Sequence, residues 1–156
     1  FEFLVLEAFQ AGLSWRIILH KRENFRRAFA RFDARKVARF GSAQVARLLT
    51  DAGIVRNRAK IEATVNNARR FLEVAAEFGT FSNYMWSWVQ GRPIAHRIRT
   101  LRDYPVTIEE ADDWAADLKR RGFKFLGPRV VYAHMQAVGM VNDHAVGCFR
   151  RSEVAE

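Results

Sequence analysis

The chain has 156 residues, 26 lysines and arginines against 17 acids, and a net charge of +9; this excess favours an anionic partner, nucleic acid first, and charge alone is equally compatible with a solubilising surface. Hydrophobic residues make up 49%, which argues against disorder, and one cysteine excludes an internal disulfide framework and suits a reducing cytoplasm. No apolar run approaches the roughly 20 residues of a membrane span, and the opening FEFLVLEAF has no basic flank and carries Glu2 and Glu7, which makes it a poor signal peptide.

Helical periodicity dominates and sustained two-residue alternation is absent, so the chain reads as one all-α domain. Phe1 to Gln10 forms an apolar helix with no capping residue before it. The natural protein is therefore expected to extend further toward its N-terminus. AGLS (11–14) is the exit, and Ser14 caps a second helix running through Phe29, with Trp15 in its first turn. Asp33 caps a short helix, ARKVARF, that Gly41 ends, and Ser42 caps the next, AQVARLLTD. After the turn AGIVR a long helix runs from about Asn57 to Glu77, followed by the short aromatic helix FSNYMWSWVQG (81–91). Residues 92–107 hold two prolines and read as loop. Thr107 starts IEEADDWAADLKRR, whose acids lead and bases trail in the order that complements the helix dipole. RGFKFLG then leads to PRVVYAHMQAVG, with Pro128 in the first turn. Trp86, Trp88 and Trp114 are expected in the core. The domain spans 1–150, with 151–156 as a C-terminal tail.

Three places carry chemistry. Glu7 lies among Phe3, Leu4, Leu6, Ala8 and Phe9, and a buried carboxylate needs a partner. Glu2 and Glu7 are separated by about 140° around a helix, so they cannot share one solvated face centrally. In the turn at 51–60, Gly53 can adopt a positive φ, and the N–H groups of the turn can meet a phosphate, with Arg56, Arg58 and Lys60 adding charge. On its own residues, a plain hairpin with a basic solvated face is the simpler account. In MVNDHAVGC, His144 and Cys148 stand four apart, one helical face if the segment is a helix, and supply half of a tetrahedral zinc site. Taken alone, that pair reads more simply as a buried histidine and an inert thiol.

The turn at 51–60 resembles the helix-hairpin-helix of DNA repair glycosylases in a degenerate form. Ala52 stands for the usual proline and Val55 for the second glycine. Asn57 occupies the position of the Schiff-base lysine of bifunctional members and cannot form an imine. LEAFQAGLSW, KRENFRRAF, DAGIVRNRAKI, RGFKFLGP and MQAVGMVNDHAVGC together resemble the DNA-3-methyladenine glycosylase I family, over nearly the whole chain. The resemblance implies a monofunctional enzyme that excises 3-methyladenine from double-stranded alkylated DNA by base flipping. It would be a cytoplasmic monomer acting in base excision repair.

The same resemblance implies roles for Glu7, Trp15 and the His144–Cys148 pair, and the residues themselves suggest those of the others. Glu7 would face the extruded base and Trp15 would stack on it. Leu13 would wedge into the gap left in the duplex, with a helix-terminal core leucine as the equal alternative. Gly53, Val55, Arg56 and Arg58 would meet DNA. Arg22, Arg26 and Arg27 could touch phosphates, although surface charge is the commoner explanation. His144 and Cys148 would be two ligands of a structural Zn²⁺, the other pair being expected upstream of Phe1 with the pocket tyrosine. The competing reading is a catalytically inactive helix-hairpin-helix DNA-binding domain, which has no reason to keep Glu7 and Trp15.

Overall fold

A computed structural model describes residues 1–154. Nine α-helices occupy these residues: α1 Glu2–Gln10, α2 Trp15–Ala28, α3 Ala34–Val37, α4 Ser42–Thr50, α5 Arg58–Glu77, α6 Phe81–Ser87, α7 Glu109–Arg120, α8 Pro128–Ala137 and α9 Arg150–Glu153. The all-α expectation holds. Several helix starts follow their capping chemistry. Ser14 Oγ accepts from Ile17 N, Asp33 Oδ1 accepts from Arg35 N and Lys36 N, and Asn57 Oδ1 accepts from Lys60 N.

Four local expectations change. The cap of α4 is Gly41 rather than Ser42, because the Gln44 side chain reaches back to Gly41 N at 3.0 Å. The helix after Thr107 begins at Glu109, and the Thr107 hydroxyl donates to Asp112 Oδ1 at 2.7 Å instead of capping. Within 92–107, Ile94–Ala95 (β1) pairs in parallel with Val141–Asn142 (β2). A two-residue strand is too short to show periodicity, and its partner lies far along the chain. Finally, residues 151–153, expected as tail, belong to α9 and are tied down: Arg151 Nη1 donates to the carbonyls of His96 and His144, and Asn142 Nδ2 donates to Arg151 O. The last two residues of that tail lie outside the described residues.

Two hydrophobic clusters form the interior. One centres on Trp114, Tyr84, Leu118 and Met135, the other on Phe9, Phe25, Phe29 and Ile61. Of the three tryptophans expected as core, only Trp114 is fully enclosed, while Trp86 and Trp88 are half-buried on the rim of the same cluster. Helix α1 lies between the clusters, giving Leu4 and Ala8 to the first and Val5, Leu6 and Phe9 to the second. That position explains the apolar run Phe3–Leu6 and Ala8–Phe9 of α1, and it puts Glu7, the acid between them, in the interior.

Candidate active site

Glu7 is 1% exposed, with Oε2 lacking any hydrogen-bond partner among the described residues. Removal from water disfavours the charged form, and the carboxyl is pushed up to about 7. Leaving a buried polar group unsatisfied costs about 1–3 kcal/mol, and more when it is charged. A fold keeps such a group where a ligand completes it.

The chain leaves α1 through a stitched turn. Leu13 N donates to Gln10 O, Gln10 Nε2 donates to Leu13 O, both at 2.6 Å, and Gly12 takes φ +80°. The turn leaves Leu13 and Trp15 both half-buried against the Phe9 cluster, alternating with exposed Gly12 and Ser14. Neither apolar residue is free of the core, and each keeps a face toward solvent.

Lys60 is placed differently from its expected role as surface charge. It is 7% exposed, and its Nζ donates to Phe9 O at 2.9 Å and Ala11 O at 2.5 Å. It thus caps the C-terminus of α1, where orphan carbonyls and the helix dipole favour a cation. Burial holds its amine below the ordinary lysine range. Lys60, Thr64 and Asn67 recur at helical spacing as buried polar positions on α5. Asn67 exchanges two hydrogen bonds with the Lys124 backbone, each 2.8 Å, while Asn66 Nδ2 donates to Gly122 O. This clamp holds Phe125 at φ +59° with its ring 6.0 Å from Lys60 Nζ. Sequence reasoning read Lys60 as surface charge and passed over Asn67, because their burial depends on α5 docking against distant segments.

The hairpin between α4 and α5 is fastened to α2. Lys21 Nζ donates to Ala52 O at 2.8 Å and Asn24 Nδ2 to Gly53 O at 3.1 Å. Gly53 does not take a positive φ, contrary to the reason expected for it, and its N–H is engaged by Asp51 Oδ1 at 2.7 Å. Close approach is what demands glycine here: a β-carbon would stand 2.8 Å from Asp51 Oδ1 and 3.1 Å from the Asn24 side chain. Gly53→Ala is expected to destabilise the fold by about 1–3 kcal/mol through overpacking, read as a lower urea midpoint with an unchanged m-value. Val55 turns half inward onto the Phe9 cluster, while Arg56 and Arg58 are exposed, Arg58 in a loose 3.4 Å pair with Glu62. Asn57 serves as the α5 cap.

His144 and Cys148 are not on a helix. They lie in the turn between β2 and α9, where Cys148 N donates to Ala145 O and His144 N to Asn142 Oδ1. The turn still brings Cys148 Sγ to 3.6 Å from His144 Nδ1. Asp143 beside them accepts from Tyr132 Oη and from Gln136 Nε2, and pairs with His96 Nδ1 at 2.7 Å. Among the described residues no group of three or more His, Cys, Asp or Glu converges as a metal cage.

An all-α domain with a hairpin fastened to a helix, and a buried carboxyl with one unpartnered oxygen in the middle of its first helix, defines a helix-hairpin-helix protein of the glycosylase type. The chain belongs to the methyladenine glycosylase family, whose model matches residues 1–151. It is 45% identical over 148 residues to DNA-3-methyladenine glycosylase 1 of Escherichia coli K12, covering 95% of this chain and 79% of that protein. It is 40% identical to DNA-3-methyladenine glycosylase of Haemophilus influenzae, over 95% of this chain and 80% of that one. The solved 3-methyladenine DNA glycosylase I of Staphylococcus aureus superposes with a TM-score of 0.93 at 37% identity, over 96% of this chain and 80% of that one.

Proposed function

We propose that the protein is a monofunctional DNA glycosylase that excises 3-methyladenine from alkylated double-stranded DNA. The observation that carries the reading is Glu7, a buried carboxylate with an unpartnered oxygen inside a domain of this family. The target base must leave the stack before its glycosidic bond is reachable, and extrusion is cheapest for a damaged base. Methylation at N3 makes the purine cationic. When its bond to C1′ breaks, the bonding electron pair goes to the base, which leaves neutral, so no strong general acid is needed. Water then adds to the oxocarbenium-like C1′ and loses a proton. The Glu7 carboxylate would attract the cation and accept its N–H groups, while neutral adenine offers no charge to offset the desolvated acid. Trp15 would lay its indole on the cationic ring, a contact worth on the order of 0.5–2 kcal/mol. Leu13 would fill the vacated space in the duplex, and the hairpin with Gly53, Val55, Arg56 and Arg58 would hold the backbone. Asn57 at the hairpin supports hydrolysis without a lyase step. An inactive DNA-binding relative would gain nothing from an unsatisfied buried acid.

The reading places the protein in the bacterial cytoplasm as a monomer; among the described residues no helix is long and apolar enough to cross a membrane. Free 3-methyladenine released from methylated duplex DNA tests it. Release without strand cleavage is the expected result, and DNA binding with no release would move the assignment to the inactive relative.

His144 and Cys148 are proposed as two ligands of a structural Zn²⁺. Tetrahedral coordination with Zn–S about 2.3 Å and Zn–N about 2.0–2.1 Å sets the S···N edge at about 3.6 Å, and the observed separation is 3.6 Å. The pair supplies two of the four donors that a closed site requires. The metal would contribute folding stability and no chemistry at the base. Cobalt substitution checks the proposal: a thiolate-to-metal charge-transfer band is expected in the parent and absent in Cys148→Ser. A parent that shows no such band would remove Cys148 from the site.

A further inference from the structure

We propose that the arginine-lined cleft beyond the C-terminal end of α2 is a second seat for the DNA backbone, several base pairs from the extruded base. The inference rests on the reading that the hairpin holds duplex DNA. The cleft encloses about 600 Å³ and is lined by Glu23, Arg26, Arg27, Ala30, Arg31 and Lys36, four cations against one acid. The ion pairs within reach are long, Arg26 to Glu2 at 3.9 Å and Lys36 to Asp33 at 3.8 Å, with Lys36 mostly exposed. These charges are available to a polyanion.

The cleft is continuous with the hairpin. Arg27 also walls an adjoining hollow with Arg47, Thr50 and Asp51, the last of which anchors the Gly53 N–H. Arg27 Nη2 donates to Asn24 Oδ1, and Asn24 in turn donates to the Gly53 carbonyl. A basic track thus runs from the hairpin over Arg27 to Arg31 and Lys36.

The backbone supplies an independent observation. Ala30, Arg31 and Phe32 take φ of +52°, +58° and +58° in succession. Each is sterically disfavoured for an L residue, and such strain gathers at functional sites. Buried Phe32 anchors the turn, and Asp33 fastens its exit through Arg35 N and Lys36 N. Glycine would hold this geometry without strain, so an arginine at 31 makes sense for what its side chain reaches. From Trp15 to Arg26 the rise of α2 is about 16 Å, or about five base steps at 3.4 Å each. The cleft is therefore within reach of a flanking duplex, and the ligand its four cations fit is a phosphodiester backbone.

The test uses Arg31→Gly and Lys36→Ala in the full chain, with duplexes carrying a tetrahydrofuran abasic analogue as the probe. One duplex extends about 12 base pairs on each side of the analogue and the other about three, too few to reach the cleft. On the long duplex each substitution is expected to weaken binding several-fold at low salt and to reduce the slope of log K against log salt by about 0.9. On the short duplex neither should matter. Arg31→Gly is expected to keep or raise the Tm, so a loss of binding in it is not unfolding. Unchanged slopes on the long duplex, or equal losses on both duplexes, would overturn the proposal. The readout is binding alone, so it stands apart from the base-release assay that tests the enzymatic reading.

Discussion

Glu7→Gln is expected to slow release of 3-methyladenine by about 10²–10³-fold, the usual loss when one preorganised electrostatic group is removed from an enclosed site, while DNA affinity changes little. The amide keeps the shape and one acceptor oxygen but not the charge that distinguishes a cationic base from a neutral one. The same substitution should stabilise the protein, and the sign follows from linkage. The Glu7 carboxyl is raised from 4.5 to about 7 in the fold, so between those values the native state holds more protons than the unfolded chain. Stability therefore falls as pH rises through that window, by about 3 kcal/mol in total at 1.36 kcal/mol per unit. Glutamine removes that cost. The expected result is a higher Tm than the parent at pH 8, nearly equal Tm values at pH 4, and a parent kcat/KM that climbs with pH through about 7. Equal loss of binding and release, with no gain in Tm at pH 8, would make Glu7 a structural residue only. Lost function with gained stability is what a strained site predicts.

Lys60→Met is expected to destabilise the fold by about 2–4 kcal/mol. Methionine keeps most of the volume of the stem, but the carbonyls of Phe9 and Ala11 lose a cationic donor at 2.9 Å and 2.5 Å, and each such bond is worth about 1.5–3 kcal/mol before relaxation. Base release should fall further than stability alone explains, because Lys60 joins the start of α5 directly to the turn that carries Leu13 and Trp15. A urea melt, with single-turnover release measured well below the midpoint, separates the two effects. A variant as stable as the parent would show that water satisfies those carbonyls as well as the lysine does.

The contrast between Glu7 and Lys60 shows what could be read without coordinates. An acid inside an unbroken apolar helix is visible as an anomaly, because the helical period leaves it no solvated face. Lys60 follows two arginines after a glycine turn, and nothing local distinguishes it from them. Only the docking of α5 on the end of α1 brings Phe9 O and Ala11 O to its amine. Gly53 was legible as a glycine that matters, but the reason is the proximity of Asn24 from another helix rather than a positive φ. The His144–Cys148 spacing was legible too, although a turn rather than a helix brings the two together.

The sequence by itself determined the all-α class, the caps of α2 and α3, the family resemblance and the identity of the enclosed acid, because periodicity, capping and charge are local properties of the chain. The tertiary structure alone decided which cations face solvent and which are spent inside, how α2 braces the hairpin, and that Asn66 and Asn67 clamp the loop carrying Phe125. Those outcomes depend on helices distant in sequence coming into contact, where desolvation and hydrogen-bond satisfaction act between residues that no short-range pattern connects.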